Sequence, residues 1–149
     1  MIKKILTLLL VSLIIIQFFR PSKNRSLAAQ PHALGNKYCI PAEVDSILRK
    51  TCYNCHSNNS QYPWYFNVQP SAWFLANHIR DGKSELNFDE FLTYDLKKQD
   101  HKLEELIEEV EHEEMPLKSY TIIHADAKLN EAQKAALIGW AKELRTNLK

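Results

Sequence analysis

The apolar positions of this chain fall into one unbroken run and several helical stripes, with no sustained alternation of period two. Residues 5–19 are uncharged and almost wholly apolar, and they lie between Lys3-Lys4 and Arg20-Pro21. Residues 22–37 mix Pro, Ser, Asn, Gln and Gly with scattered charge and read as a linker. Pro41 opens a short helical pattern to Lys50, in which Val44, Ile47 and Leu48 share one face. A second pattern starts at Ser71, a good capping residue, and carries Trp73, Phe74, Ala76, His78 and Ile79. Gly82 is expected to stop it. Asn87 caps a brief turn through Phe91. From Asp100, the residues Leu103, Leu106, Ile107 and Val110 recur at helical spacing on an acidic segment that Met115-Pro116 ends.

The last helix has the clearest signals. Asn130 and Gln133 form a capping box, Leu129 stands in the staple position, and Ala132, Ala136, Ile138, Trp140, Ala141, Leu144 and Leu148 give an apolar face running to Lys149. The periods predict an all-α protein. Residues 1–20 form a membrane anchor or signal segment, 21–38 a linker, and 39–149 one small helical domain.

Composition adds exclusions. A net charge of +1 suggests neither nucleic acid nor another polyanion as partner. Only three glycines and no long polar tract argue against disorder. The run at 5–19 is short of the roughly 20 residues that span a bilayer, and it sits at the upper limit for a signal-peptide core. Flanking Lys and Arg can snorkel, which favours an uncleaved anchor. The small residues of Ser26-Leu27-Ala28 and Leu27-Ala28-Ala29 keep cleavage as the alternative.

The chemistry concentrates in Cys52-Tyr53-Asn54-Cys55-His56, which reads as Cys-x-x-Cys-His. Two thiols at this spacing can each add across one haem vinyl group, and the adjacent histidine can then bind the iron. Zinc and a structural disulfide are the alternatives. A zinc finger needs a second ligand pair, and His32, His78, His101, His112 and His124 supply no such spacing. A redox dithiol wants a βαβ context that is missing here. Cys39 reads as a buried or incidental thiol. The motif occurs once, so one haem c with its iron is expected.

After the motif, Ser57–Ser60 is a polar turn, and Tyr62, Trp64, Tyr65 and Phe66 are placed to wall off the porphyrin. Either Pro63 or Pro70 could present a carbonyl to the other ring nitrogen of His56. Met115 is the only methionine besides Met1, which makes it the leading sixth ligand. His78 is the main alternative, with His101, His112 and His124 behind it. The order helix, Cys-x-x-Cys-His, loops and helices, Met, terminal helix resembles a small class I cytochrome c. Covalent haem attachment in bacteria takes place outside the inner membrane, so the domain is expected on the periplasmic side. This overrides the basic residues at both ends of the apolar run, which by the positive-inside rule would leave Arg20, Lys23 and Arg25 in the cytoplasm.

Several segments together resemble one narrower family, the bacterial haem-binding domain proteins with a single Cys-x-x-Cys-His. They are Cys52-Tyr53-Asn54-Cys55-His56-Ser57-Asn58 with Tyr62-Pro63-Trp64-Tyr65, Leu86-Asn87-Phe88-Asp89-Glu90-Phe91, Glu114-Met115-Pro116-Leu117 and Ile123-His124-Ala125-Asp126-Ala127-Lys128-Leu129. Where the family is expected to carry Met-Pro-Pro, this chain has Met115-Pro116-Leu117. The resemblance implies a membrane-tethered, extracytoplasmic, cytochrome c-like haem domain. One-electron transfer with unidentified redox partner proteins is the expected role, rather than enzymatic turnover. A haem-based sensor or small-ligand module with an open or displaceable sixth position is the alternative. A peroxidase-like enzyme ranks last, because no distal acid–base pair is identifiable.

Overall fold

A computed structural model describes residues 1–148, and every regular element among them is helical. The predicted end of the last helix at Lys149 lies outside the described residues. The apolar run forms α1 (Ile2–Ile16), none of whose residues is buried. No helix among the described residues is long and apolar enough to cross a membrane. By itself α1, at 15 residues, falls short of the roughly 20 that a bilayer requires.

The expected helix at 41–50 is longer than its apolar pattern suggested. It runs as α2 (Ala42–Ile47), then widens into a π turn at Leu48–Cys52, and closes as α3 (Tyr53–His56). Such a wide turn inside a helix often marks a functional site. The next long helix, α4 (Ser71–Glu85), contains Gly82 instead of stopping at it. Ser71 does not cap it either: its hydroxyl donates to the carbonyls of Tyr65 and Val68. α5 (Leu96–Glu111) begins ahead of the expected Asp100, because the Asp95 carboxylate accepts from the Lys98 amide at 2.8 Å. A single turn, α6 (Lys118–Thr121), leads to α7 (Glu131–Leu148). The capping box of α7 forms as predicted, with Asn130 and Gln133 exchanging backbone-to-side-chain bonds of 3.0 and 2.9 Å.

The main core lies between α5 and α7. Leu103, Leu106, Ile107 and Val110 face Leu137, Trp140, Ala141 and Leu144, and Val44, Ile47 and Leu48 close one side. Arg145 ties the two helices at the rim by bonding both Asp100 and Glu104. A smaller cluster of Phe66, Ala72, Leu75 and Ile79 sits beneath α4.

Residues 22–37 are not a free linker. Leu34 is 1% exposed within the main core, and its amide donates to the Phe88 carbonyl. The Asn24 side chain donates to the Ser57 carbonyl and to the Ser60 hydroxyl, both at 2.8 Å. The polar residues that give this stretch its linker-like composition are the ones that dock it. Cys39, expected to be buried or incidental, is exposed.

Gly82 has a packing role. A Cβ there would lie 3.0 Å from the Cys55 carbonyl oxygen and 3.2 Å from the Cys55 Cβ, so α4 and α3 touch backbone to backbone. Gly139, on α7, has nothing within 4 Å of such a Cβ. Gly82→Val should therefore destabilise the protein by about 1–3 kcal/mol, as overpacking does. Gly139→Ala should stabilise it by about 0.5–1 kcal/mol, because a helical glycine is relieved without a clash. Urea denaturation of the two variants checks both signs.

Candidate functional site

α3 ends at His56, whose Nδ1 lies 2.9 Å from the Leu86 carbonyl oxygen. A carbonyl can only accept, so Nδ1 carries the ring proton and Nε2 keeps its lone pair. Leu86 is the residue at which α4 ends. The carbonyl was expected from Pro63 or Pro70; α4 supplies it instead, because the close contact at Gly82 brings its last turn over the imidazole. Burial holds the His56 pKa below the usual histidine range, against the opposing pull of the Leu86 and Gly82 backbone. The ring is therefore neutral and able to act as a ligand.

Thr51, Cys52, Cys55 and His56 form one wall of a cavity of about 150 Å³. His78, Asp81 and Gly82 of α4 form a second wall. Val110, Met115, Pro116, Leu117, Tyr120 and Leu129 close the third. All five residues singled out in the sequence (Cys52, Cys55, His56, Met115 and His78) thus border one space. Burial, and secondly the neighbouring Cys55 thiol, push the Cys52 pKa up to about 12; burial alone takes Cys55 to about 11. Both thiols are neutral.

Met115 reaches the cavity through a specific helix ending. α5 stops at Glu111, and Glu113 takes a left-handed conformation with φ 60°. The amides of Glu114 and Met115 both donate to the Glu109 carbonyl, at 2.9 and 3.0 Å. Such a left-handed residue after a helix reverses the chain and satisfies its last carbonyls. Glu113 also pairs with Lys134 of α7, which anchors the turn.

The aromatic cluster is elsewhere. Phe66 is buried in the small core against Tyr62, and Trp64 is 79% exposed. Tyr65 hydrogen-bonds His124 at 2.8 Å. None of these four aromatics lines the cavity; Tyr120, not singled out in the sequence, does. Its ring stacks on His124, and its hydroxyl accepts from Asn54 at 2.9 Å. His101 pairs with Glu104 and Glu105 on the surface, and neither it, His112 nor His124 borders the cavity. Among the described residues no three His, Cys, Asp or Glu side chains gather as a metal cluster, so the tetrahedral zinc arrangement is not assembled at Cys52 and Cys55.

A family model described as a haem-binding domain matches residues 11–143. The chain belongs to this haem-binding domain family. No curated protein and no solved structure matches it. The matched region includes residues 22–37, in keeping with their packing into the haem-binding domain.

The donor set fits haem iron, with an imidazole on one wall and, on another, a thioether side chain among apolar Val110, Leu117 and Leu129.

A side-chain network holds the loop that follows His56. The Asn58 amide donates to Asp89, and the Asn58 side chain donates to Gln30 and Glu90. Buried Asn87 donates to the Asn58 side-chain oxygen at 2.9 Å and accepts from the Asp89 amide at 3.0 Å. Asn87→Ala leaves these partners unpaired and should cost about 1–3 kcal/mol. Chemical denaturation measures the loss, and haem content per chain should fall with it, since Leu86 is the adjacent residue.

Proposed function

We propose that this haem-binding protein carries haem c covalently on Cys52 and Cys55 and transfers single electrons on the outer face of a membrane. His56 Nε2 and the Met115 thioether hold the iron, and α1 tethers the domain to the inner membrane on its periplasmic side. The observation that carries this reading is the convergence of both thiols, the free Nε2 and Met115 on one cavity. When bound, haem supplies a one-electron couple whose potential its axial ligands tune. The chain's part is to bind and shield the cofactor. Leu86 fixes the imidazole tautomer, Val110, Leu117 and Leu129 exclude water, and Met115 fills the position a substrate would need. The protein is on this reading an electron carrier, not an enzyme, and its partners are other redox proteins.

His78 also borders the cavity, and its Nδ1 is tied to the Phe74 carbonyl at 2.8 Å, which leaves Nε2 available. This supports a second reading, bis-histidine ligation. A sensor with a displaceable sixth ligand requires that neither Met115 nor His78 hold the iron firmly.

Protein expressed with a haem-attachment system should keep peroxidase-active haem on a denaturing gel and gain one haem in mass. Cys52→Ala combined with Cys55→Ala should lose both signals. Colourless protein with stoichiometric zinc ends the proposal. Because thioether ligation favours ferrous iron, Met115→Ala should lower the midpoint potential by on the order of 100 mV, within the roughly 0.8 V that axial ligands span. It should also abolish the far-red charge-transfer band and admit carbon monoxide, while His78→Ala leaves band and potential nearly unchanged. A wild type without the band, opened to carbon monoxide by His78→Ala alone, assigns the ligand to His78.

A further inference from the structure

The end of α1 is clamped to the haem-binding domain. The Gln17 side chain donates to the Gln69 carbonyl at 3.2 Å and accepts from the Gln69 amide at 2.9 Å. The Phe19 carbonyl accepts from Gln69 Nε2 at 2.7 Å and from Trp73 Nε1 at 2.9 Å. Gln69 is 2% exposed, and its amide, carbonyl and Nε2 are all committed to this joint. Wherever Phe19 sits, the domain edge at Gln69 and Trp73 sits within hydrogen-bonding distance of it.

We propose that the membrane-facing surface of this protein is composite, made of α1 together with the domain edge at Val68 and Trp73, and that it beds in an anionic phospholipid bilayer. The proposal rests on the tether reading above and adds a fixed seat for the domain. With residues 5–19 among the acyl chains, Phe19 marks their outer edge, and the clamp puts Val68 and Trp73 at that level. The helix needs this help. Fifteen residues rise about 22 Å, against a hydrocarbon core of roughly 30 Å. Further apolar surface at the outer end makes up the difference. Val68 and Trp73 supply it, 46% and 37% exposed. Trp at the boundary is the ordinary composition of a membrane interface.

The charge around this edge selects the lipid. A cleft beside it is lined by Lys23, Arg25, Arg80 and Lys83, and by no carboxylate. Arg80 pairs with Asp81 at 2.9 Å, while Lys83 is engaged only by the neutral Asn24 side chain among the bonds of this cleft. Basic residues beside an apolar edge attract phosphate headgroups.

The test uses the full-length holoprotein in nanodiscs of phosphatidylcholine with phosphatidylglycerol. Photoreactive benzoylphenylalanine replaces one residue at a time: Leu10 in α1, Val68 at the proposed edge, and exposed Glu143 on α7. Lipid adducts at positions 10 and 68 but not at 143 are expected. Adducts at 10 without adducts at 68 overturn the docked edge and leave the tether intact, and chain-to-chain adducts at 68 assign that surface to a second copy. Absence of lipid adducts at 10 overturns the tether itself, and the composite surface with it.

Discussion

The backbone contact between Gly82 and Cys55 is the constraint on which the site depends. Two helices meet there without intervening side chains, so the turn of α4 that follows Gly82 lies over α3. That turn ends at Leu86, whose carbonyl is 2.9 Å from His56 Nδ1. The same residues lead into the Asn87–Asn58 network, which returns the chain after His56 to the domain. One missing Cβ therefore governs the distance between the helices, the tautomer of His56 and the path of the following loop. A side chain at position 82 would act on all three at once, since close-packed interiors relax only partly around added volume.

The opposite wall obeys a different rule. Met115 sits past the end of α5, so its position is set by backbone hydrogen bonds to Glu109 and by the left-handed Glu113. A non-glycine residue in that conformation costs roughly 1–2 kcal/mol, which the helix-end bonds and the Lys134 contact offset. The wall carrying His56 is thus braced by α4, whereas the wall carrying Met115 is held by the end of α5, the Glu113–Lys134 pair and the Asn54–Tyr120 hydrogen bond.

What the sequence revealed followed from local rules. The capping box at Asn130 and Gln133 is a contact between residues three apart, and it appears as read. Cys52, Cys55 and His56 stand out by spacing and Met115 by being almost alone of its kind, and the fold brings all four to one cavity. Gly82 was misread because glycine serves equally as a helix end and as a place of close approach, and only the partner across the gap decides which. The Leu86 carbonyl left no signal, since every residue has one. The polar stretch at 22–37 looked like a linker because hydrogen-bonding residues have the same composition whether they face water or a loop such as 57–60. The aromatic run after the motif is assigned to the cofactor by proximity in sequence, yet Tyr62, Tyr65 and Phe66 pack with α4 while Trp64 is exposed, and Tyr120 approaches the cavity from 64 residues beyond His56.

α4 joins the two ends of the proposed function. Trp73 near its start meets the outer edge of the apolar run, and Gly82 near its end meets Cys55. Nine residues separate them, which is about 14 Å along a helix. On the proposed docked geometry the cavity therefore lies within about that distance of the headgroups, since α4 runs unbroken from Trp73 to Gly82. A flexible linker would have let the domain sample partners through a wide volume. On the proposed reading, a clamped domain meets only partners that present their own redox centre near the same membrane surface, and it trades reach for a high effective concentration there.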